Sequence, residues 1–330
     1  MDFTYPKRLS LAHLPTPIQK LERLSEEYKT NIWIKRDDLT GSVTSGNKIR
    51  KLEFTLAHAR EQGADVLITC GGTQSNHCRA TAILGAQLGF KVHLVLRGER
   101  PSELDGNLFL DHLAGAEISY FSPKYYNARL DFIVQEISDE YRSQGKSPYF
   151  ITTGASDATG VWGYINAAEE ISHQSKAMDT HFDIIACATG SGGTQAGLTV
   201  GSVLFDLQAQ VLGIAVCDDE DYFLKKVRRD ILEWKQEYNL DFDLRKLEIN
   251  VQDAYVGPGY AKAPSQVFAL IERILQLEGI ALDPVYTGKA FYGFLEEIKN
   301  GDLKSKNALF VHTGGLFGLF AQRAQYFLSK

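Results

Sequence analysis

The run Asp183-Ile184-Ile185-Ala186-Cys187-Ala188, the turn Thr189-Gly190-Ser191-Gly192-Gly193-Thr194 and the segment from Gln195 to Leu207 decide the fold. A short continuous apolar run is the pattern of a strand covered on both faces, as parallel sheets require. The glycines let the chain turn, and residues 194–207 carry apolar side chains at helical spacing. A second apolar run, Val211-Leu212-Gly213-Ile214-Ala215-Val216, completes a strand–helix–strand unit. Such a unit joins parallel strands by a crossover helix.

The same alternation extends outward in both directions. Apolar runs at 31–35, 66–70, 91–96, 149–152 and 308–312 predict further strands. Amphipathic segments at 49–62, 76–88, 129–144, 159–172, 222–238, 265–278, 289–299 and 316–328 predict the helices. The fold class is therefore α/β, with parallel sheets flanked by helices. A chain of 330 residues favours two domains. No repeat, low-complexity tract or linker marks the boundary.

Composition excludes several function classes. The chain is 44% hydrophobic and 23% charged, with a formal charge of −6. Nucleic acid or an anionic membrane would call for a clustered basic face, so neither is an expected partner. Lys225-Lys226 and Arg228-Arg229 lie among acidic residues and read as a solvated helix face. The N-terminus lacks the basic start and apolar stretch of a signal peptide, and no apolar run approaches a membrane span. Cys70, Cys78, Cys187 and Cys217 are isolated, which suggests neither disulfides nor zinc. A cytoplasmic protein without a metal is the expectation.

In open α/β sheets ligands bind beyond the carboxyl ends of the strands, and three turns there are unusual. Ser45-Gly46-Asn47-Lys48-Ile49-Arg50-Lys51-Leu52-Glu53 opens a helix with three cations, against the macrodipole. Asp37 and Asp38, a bound anion or plain solvation could each relieve that. Cys70-Gly71-Gly72-Thr73-Gln74-Ser75-Asn76-His77 leads a strand into a helix. Its glycines suit an anion held by backbone N–H groups, and Ser75 suits a simple N-cap. Thr189 to Thr194 suits a cradled phosphate, but it lacks the Gly-Lys-Ser/Thr ending of a Walker loop. It fits a dinucleotide fingerprint in part, with Asp218 as the ribose-binding acid, although Gln195 stands where a third glycine belongs. A nicotinamide dehydrogenase is one reading of that pattern.

In chain order the chain carries Pro15-Thr16-Pro17, Ile34-Lys35-Arg36-Asp37-Asp38, Gly46-Asn47-Lys48-Ile49-Arg50-Lys51-Leu52-Glu53 and Gln74-Ser75-Asn76-His77. It continues with the 190–194 loop, Asp283-Pro284-Val285-Tyr286-Thr287-Gly288-Lys289 and His312-Thr313-Gly314-Gly315. Taken together, these segments resemble the pyridoxal-phosphate enzymes of the tryptophan-synthase-β type (fold type II). The nearest branch contains D-cysteine desulfhydrase and 1-aminocyclopropane-1-carboxylate deaminase. The resemblance covers nearly the whole chain. It implies pyridoxal 5'-phosphate as cofactor, with a large cofactor domain from residues 1–53 and 161–330 and a smaller inserted domain at 54–160. It also implies a homodimer acting on a small amino acid.

By the same resemblance, Lys48 matches the Schiff-base lysine and the base at the substrate Cα. Asn76 matches the partner of the cofactor's ring hydroxyl, and Gly190, Ser191, Gly192, Gly193 and Thr194 match the phosphate loop. Ser75, Asn76 and His77 match the turn receiving the substrate carboxylate, while Tyr260 and Tyr286 match tyrosines facing the substrate. The catalytic set is thus Lys48, Ser75 and Tyr286. Deaminases of the branch typically carry Glu after the Asp-Pro-Val-Tyr tyrosine and Leu before the last Gly-Gly, where this chain has Thr287 and Thr313. A hydroxyl beside the pyridine nitrogen leaves it neutral, whereas a carboxylate favours its protonation. That difference points to an α,β-eliminating lyase that converts D-cysteine to sulfide, pyruvate and ammonia. The deaminase and an L-cysteate sulfo-lyase are the alternatives. A cofactor-binding protein without turnover is also compatible with Lys48 alone.

Overall fold

The structure, a computed structural model, describes residues 3–328 apart from 302 and 304. The first elements are β1 (Ile18–Lys20), α1 (Glu22–Tyr28), β2 (Asn31–Lys35) and α2 (Lys48–Glu61). The middle of the chain holds β3 (Val66–Gly72), α3 (Asn76–Leu88), β4 (Lys91–Arg97), α4 (Gly106–Leu113), β5 (Glu117–Phe121), α5 (Pro123–Ser143) and β6 (Pro148–Ile151). Then come α6 (Ala158–Ala177), β7 (Ile184–Thr189), α7 (Gly193–Leu204), β8 (Gln210–Ala215), α8 (Glu220–Glu237) and β9 (Asn250–Gln252). The chain ends with α9 (Ser265–Glu278), α10 (Thr287–Asn300), β10 (Asn307–Val311), α11 (Leu316–Ala321) and α12 (Arg323–Leu328).

Two sheets result. One is six-stranded in the order β1-β2-β10-β7-β8-β9, the other four-stranded in the order β5-β4-β3-β6. Every pairing is parallel except the β1–β2 edge. The apolar runs explain this arrangement residue by residue. Ile184, Ala186 and Ala188 of β7, with Ala308 and Phe310 of β10, face a core formed with α1, α9 and α10. The intervening Ile185, Cys187, Leu309 and Val311 face a second core under α6 and α7. Each strand thus needs apolar residues at every position. Burial of each large aliphatic side chain contributes roughly 1.5–3 kcal/mol. In the smaller sheet Leu67, Val92, Leu94 and Leu96 pack toward α2 and α3, and Val66, Ile68, Cys70 and Val95 toward α5.

Differences from the sequence expectation lie at edges, at breaks and at two short helices, α1 and α4, that the sequence did not predict. Strands β1, β5 and β9, absent from the reading, are all sheet edges. Helix α5 begins at Pro123 with Ser122 as its cap, and the expected start at residue 129 is a kink in its path, since Arg129 has φ −138°. The expected helix 316–328 is broken at Gln322, where φ is −106° and ψ 13°.

Candidate active site

The carboxyl ends of β3, β4, β7 and β8 and the N-termini of α2, α3 and α7 converge on one cavity of about 710 Å³. Lys48, Ser75, Asn76, His77, Gly190, Ser191, Gly192, Thr194, Tyr260, Tyr286 and Thr313 all line it. Gly193 and Thr287 lie behind that lining.

Helix α2 is held at its start by the end of β10. Asn47 N donates to Thr313 O at 3.1 Å, and a Cβ on Gly46, at φ +108°, would lie 2.7 Å from the same carbonyl. The Lys48 ammonium donates to Asn47 Oδ1 at 3.1 Å, and Asn47 Nδ2 donates to Thr194 Oγ1 at 2.9 Å. One asparagine therefore ties the lysine to the glycine loop. Loss of solvation, with a smaller contribution from the Arg79 guanidinium, lowers the Lys48 pKa to about 8.

The other two cations of that turn have separate fates. Arg50 is buried and paired with Asp37 at 2.8 Å and Glu170 at 3.0 Å. Asp38 pairs instead with Arg36. Lys51 is buried and donates to Gly154 O and Ser156 Oγ, both at 3.1 Å. A Cβ on Gly193 would come within 2.8 Å of the Lys51 ammonium, so that cation stands directly against the loop. Lys226 is not part of a solvated face. It lines the cavity, donates to Ser156 O at 3.1 Å and pairs with Asp230 at 2.5 Å.

The glycine loop is built to receive an anion. Gly192, the cap of α7, adopts φ +87°, and no side chain caps that helix. Its first-turn N–H groups are open apart from Gly193 N, which donates to Ser156 Oγ at 3.2 Å. Two lysine side chains, Lys51 and Lys226, the Ser191 and Ser156 hydroxyls (2.8 Å apart) and the positive end of a helix surround this point.

At α3 the capping reading of Ser75 holds, since its Oγ accepts from Cys78 N at 3.2 Å. His77 Nε2 lies 2.8 Å from Thr69 Oγ1. That hydroxyl donates its proton to Ile151 O, so the ring must donate from Nε2 and leave Nδ1 unprotonated. Burial, then Lys48 and Lys51, hold the His77 pKa well below its ordinary value, which keeps the ring neutral.

Across the cavity, Asp283 accepts from Val285 N, Tyr286 N and Thr287 N and so shapes the start of α10. This places the Tyr286 hydroxyl 2.6 Å from that of Tyr260. The Thr287 hydroxyl donates to Asp283 Oδ1 at 2.8 Å and is fully buried. Of the two threonines singled out by the sequence, only Thr313 opens onto the cavity. Sequence reasoning gave no role to Asn47, Ser156 or Lys226. Ser156 follows no glycine-rich strand end and carried no signal, whereas Asn47 and Lys51 sat in a motif already singled out.

A family model described as "Pyridoxal-phosphate dependent enzyme" matches residues 9–314. A Thermotoga maritima protein named putative 1-aminocyclopropane-1-carboxylate deaminase is 47% identical, with 96% of this chain and 98% of that one covered. The Arabidopsis thaliana mitochondrial bifunctional D-cysteine desulfhydrase/1-aminocyclopropane-1-carboxylate deaminase is 41% identical, over 94% of this chain and 79% of that one. A crystal structure described as an ACC deaminase homologue superposes with a TM-score of 0.90 at 38% identity, covering 99% of this chain and 97% of that one. Lysine, uncapped glycine loop and paired tyrosines thus occur within a chain that belongs to the pyridoxal-phosphate-dependent enzyme family.

Proposed function

We propose that the protein is a lyase that takes D-cysteine and water to hydrogen sulfide, pyruvate and ammonia by α,β-elimination. The observation that carries this choice is the absence of a carboxylate at either threonine position, with Thr287 committed to Asp283 and Thr313 alone opening onto the cavity. 1-Aminocyclopropane-1-carboxylate deamination is the second reading, favoured by the names of the relatives. L-Cysteate desulfonation is a third, with a sulfonate as the leaving group.

The residues fit pyridoxal phosphate. The uncapped α7 start, with Lys51 and Lys226, suits its phosphate, and the Lys48 amine suits its aldehyde. When bound, the cofactor supplies the electron sink that stabilises negative charge at the substrate Cα. In the assignment favoured here, Lys48 anchors the cofactor and later holds the proton taken from Cα. Asn76 would meet the ring hydroxyl. Gly190, Ser191, Gly192, Gly193 and Thr194 would form the phosphate loop, with Gly193 N tied to Ser156 Oγ and so bracing the loop from behind the lining. Ser75, Asn76 and His77 receive the substrate carboxylate at the start of α3, where backbone N–H groups favour an anion. Tyr286, backed by Tyr260, delivers or retains a proton at the leaving group. Thr313 would be the threonine available to the pyridine nitrogen, since the Thr287 hydroxyl is committed to Asp283.

The proposed division, 1–53 with 161–330 and 54–160 inserted, follows the sheets: strands β3 to β6 all fall between residues 66 and 151. We place the enzyme in the cytoplasm, in keeping with four unpaired cysteines. Among the described residues, no helix is long and apolar enough to cross a membrane. A homodimer rests on the family resemblance alone. The deciding experiment assays purified, cofactor-loaded protein against D-cysteine, L-cysteine, L-cysteate and aminocyclopropane carboxylate, following keto-acid release. Preference for D-cysteine supports the proposal, and preference for any of the others replaces it.

A further inference from the structure

Asn107 carries no charge and does not line the cavity, yet it is fully buried and its hydrogen bonds run directly to a residue that does. Its Nδ2 donates to Gln74 O at 3.0 Å and to Asn76 Oδ1 at 3.0 Å. A backbone carbonyl only accepts, so Gln74 O fixes which end of the Asn107 amide is nitrogen. The second proton on that nitrogen then fixes which end of Asn76 is oxygen. Asn76 therefore turns Oδ1 toward α4 and leaves Nδ2 for the cavity. The surrounding frame is tight. Gln74 Oε1 accepts from Asn107 N at 2.9 Å, and Gln74 Nε2 donates to Asp105 O at 3.0 Å. A Cβ on Gly106 would lie 2.6 Å from Gln74 Oε1 and 2.7 Å from Phe317 O, so the start of α4 leaves no space for a side chain beside Gln74.

We propose that Asn107 is a positioning residue that locks the Asn76 amide, so that the cavity is offered a donor and not an acceptor at this point. The complementary group is an anionic oxygen, and on the pyridoxal-phosphate reading, on which this inference rests, that oxygen is the one on the cofactor ring. An Asn76 amide turned the other way would set oxygen against oxygen.

The test reads cofactor binding, not turnover. Protein freed of cofactor is titrated with pyridoxal phosphate, and the pH dependence of the bound chromophore's absorbance is recorded. Asn107→Asp keeps the size but offers only acceptors, which repel Gln74 O and draw Asn76 Nδ2 away from the cavity. It is expected to raise the dissociation constant roughly 10- to 100-fold, the range for a lost hydrogen bond to a charged group. The chromophore's titration should move to higher pH, because its anionic form loses a donor. Asn76→Ala alone should weaken binding similarly, and Asn107→Asp added to it should change the constant by no more than about twofold. If Asn107→Asp weakens binding by the same factor with and without the Asn76 amide, Asn107 acts only through the fold and the proposal is overturned. Should the Asp variant fail to fold, Asn107→Ala in the same cycle reads the same coupling. Failure of the unaltered protein to bind pyridoxal phosphate would instead overturn the functional reading itself.

Discussion

Tyr260 and Tyr286 bring their hydroxyls to 2.6 Å, so two phenols share one hydrogen bond. Burial pushes both phenols above their ordinary pKa, and both remain protonated at neutral pH. One proton satisfies the pair, and the other is left to be donated elsewhere at the cavity wall. Tyr286→Phe and Tyr260→Phe are each expected to lower kcat/KM, by on the order of 10² where the proton is used in the reaction. The double variant should be little worse than the poorer single one, because the pair acts as a unit. Steady-state kinetics on the four proteins checks this, and multiplicative losses would mean that the hydroxyls act separately.

Lys48 is expected to be the single point of cofactor attachment. Lys48→Ala should abolish the yellow chromophore, and borohydride reduction with peptide mapping should label residue 48, not Lys51 or Lys35. Both of those amines are fully buried and held by protein acceptors. The neutral amine is the nucleophile, and the Lys48 pKa is lowered to about 8. Cofactor capture by the free protein should therefore accelerate about tenfold per pH unit below pH 8 and level off above it. Stopped-flow absorbance across that range measures the profile, and a rise continuing to pH 10 would contradict it.

Substitution in the glycine loop is expected to affect binding before folding. A Cβ on Gly193 would meet Ser156 Oγ at 2.7 Å and the Lys51 ammonium at 2.8 Å. Gly193→Ala should thus disturb the two groups set around the anion, lowering cofactor affinity at least tenfold by the loss of about one charge-assisted hydrogen bond. Gly192→Val has the further burden of a left-handed backbone at φ +87° and should lose more of both properties. Fluorescence titration and thermal melting of the cofactor-free variants separate the effects. Full occupancy in Gly193→Ala would make the loop merely structural.

How far the sequence carries depends on which signal a residue leaves. Strands β7 and β10 were legible because two cores demand an apolar side chain at every position. Edge strands are under no such demand. Glu117-Ile118-Ser119-Tyr120-Phe121 is part-exposed along its length and reads as a loop. The site was legible where glycine or a capping residue marked a helix start. It was illegible where a distant segment supplied the partner. Lys226 looked like one charge in a mixed run, and only the fold turns it toward Ser156. Asn107 lies in a helix too short to show a period, and its importance comes from a contact 31 positions away. Thr287 was the opposite case, since its motif was visible but its commitment to Asp283 was not.

The Arg50 cluster carries stability. Asp37, fully buried, takes hydrogen bonds from Arg50, Thr16 and Tyr164, while Glu170 takes them from Arg50 and Lys35. Burial alone would raise both carboxyl pKa values, but Arg50, with Lys35, outweighs it and holds both below the ordinary range. Carboxylates with depressed pKa values stabilise the fold above their unfolded values, near pH 4, and that contribution is lost as pH falls through the folded values. Arg50→Met should cost about 3–5 kcal/mol at neutral pH, because it leaves buried charge without its partner. It should also flatten the acid limb of the stability profile. Denaturant melts from pH 3 to 7 measure both, and an unchanged acid limb would assign the loss to packing alone.

Substrate choice is expected to turn on Thr313. The Thr287 hydroxyl donates to Asp283 Oδ1 and accepts from Asp283 N at 2.9 Å, so it has little left to offer the cavity. Thr313 presents a neutral hydroxyl, which cannot hold a proton on a pyridine nitrogen as a carboxylate does. Opening a cyclopropane breaks a carbon–carbon bond with no good leaving group and demands the stronger sink. On the proposed assignment, elimination from cysteine needs only that thiolate depart once the Cα proton has moved to Lys48, a transfer worth on the order of 10²–10⁴ in rate. D-Cysteine is therefore expected to have the higher kcat/KM, with aminocyclopropane carboxylate a poor substrate and L-cysteine the stereochemical control. Thr313→Glu would set a carboxylate in the cavity and should move the ratio toward the cyclopropane substrate. Thr287→Glu, forced into a fully buried site beside Asp283, should instead destabilise the fold. Steady-state assays of the three proteins on both substrates decide it, and faster turnover of the cyclopropane by the unaltered enzyme would sink the argument from Thr313.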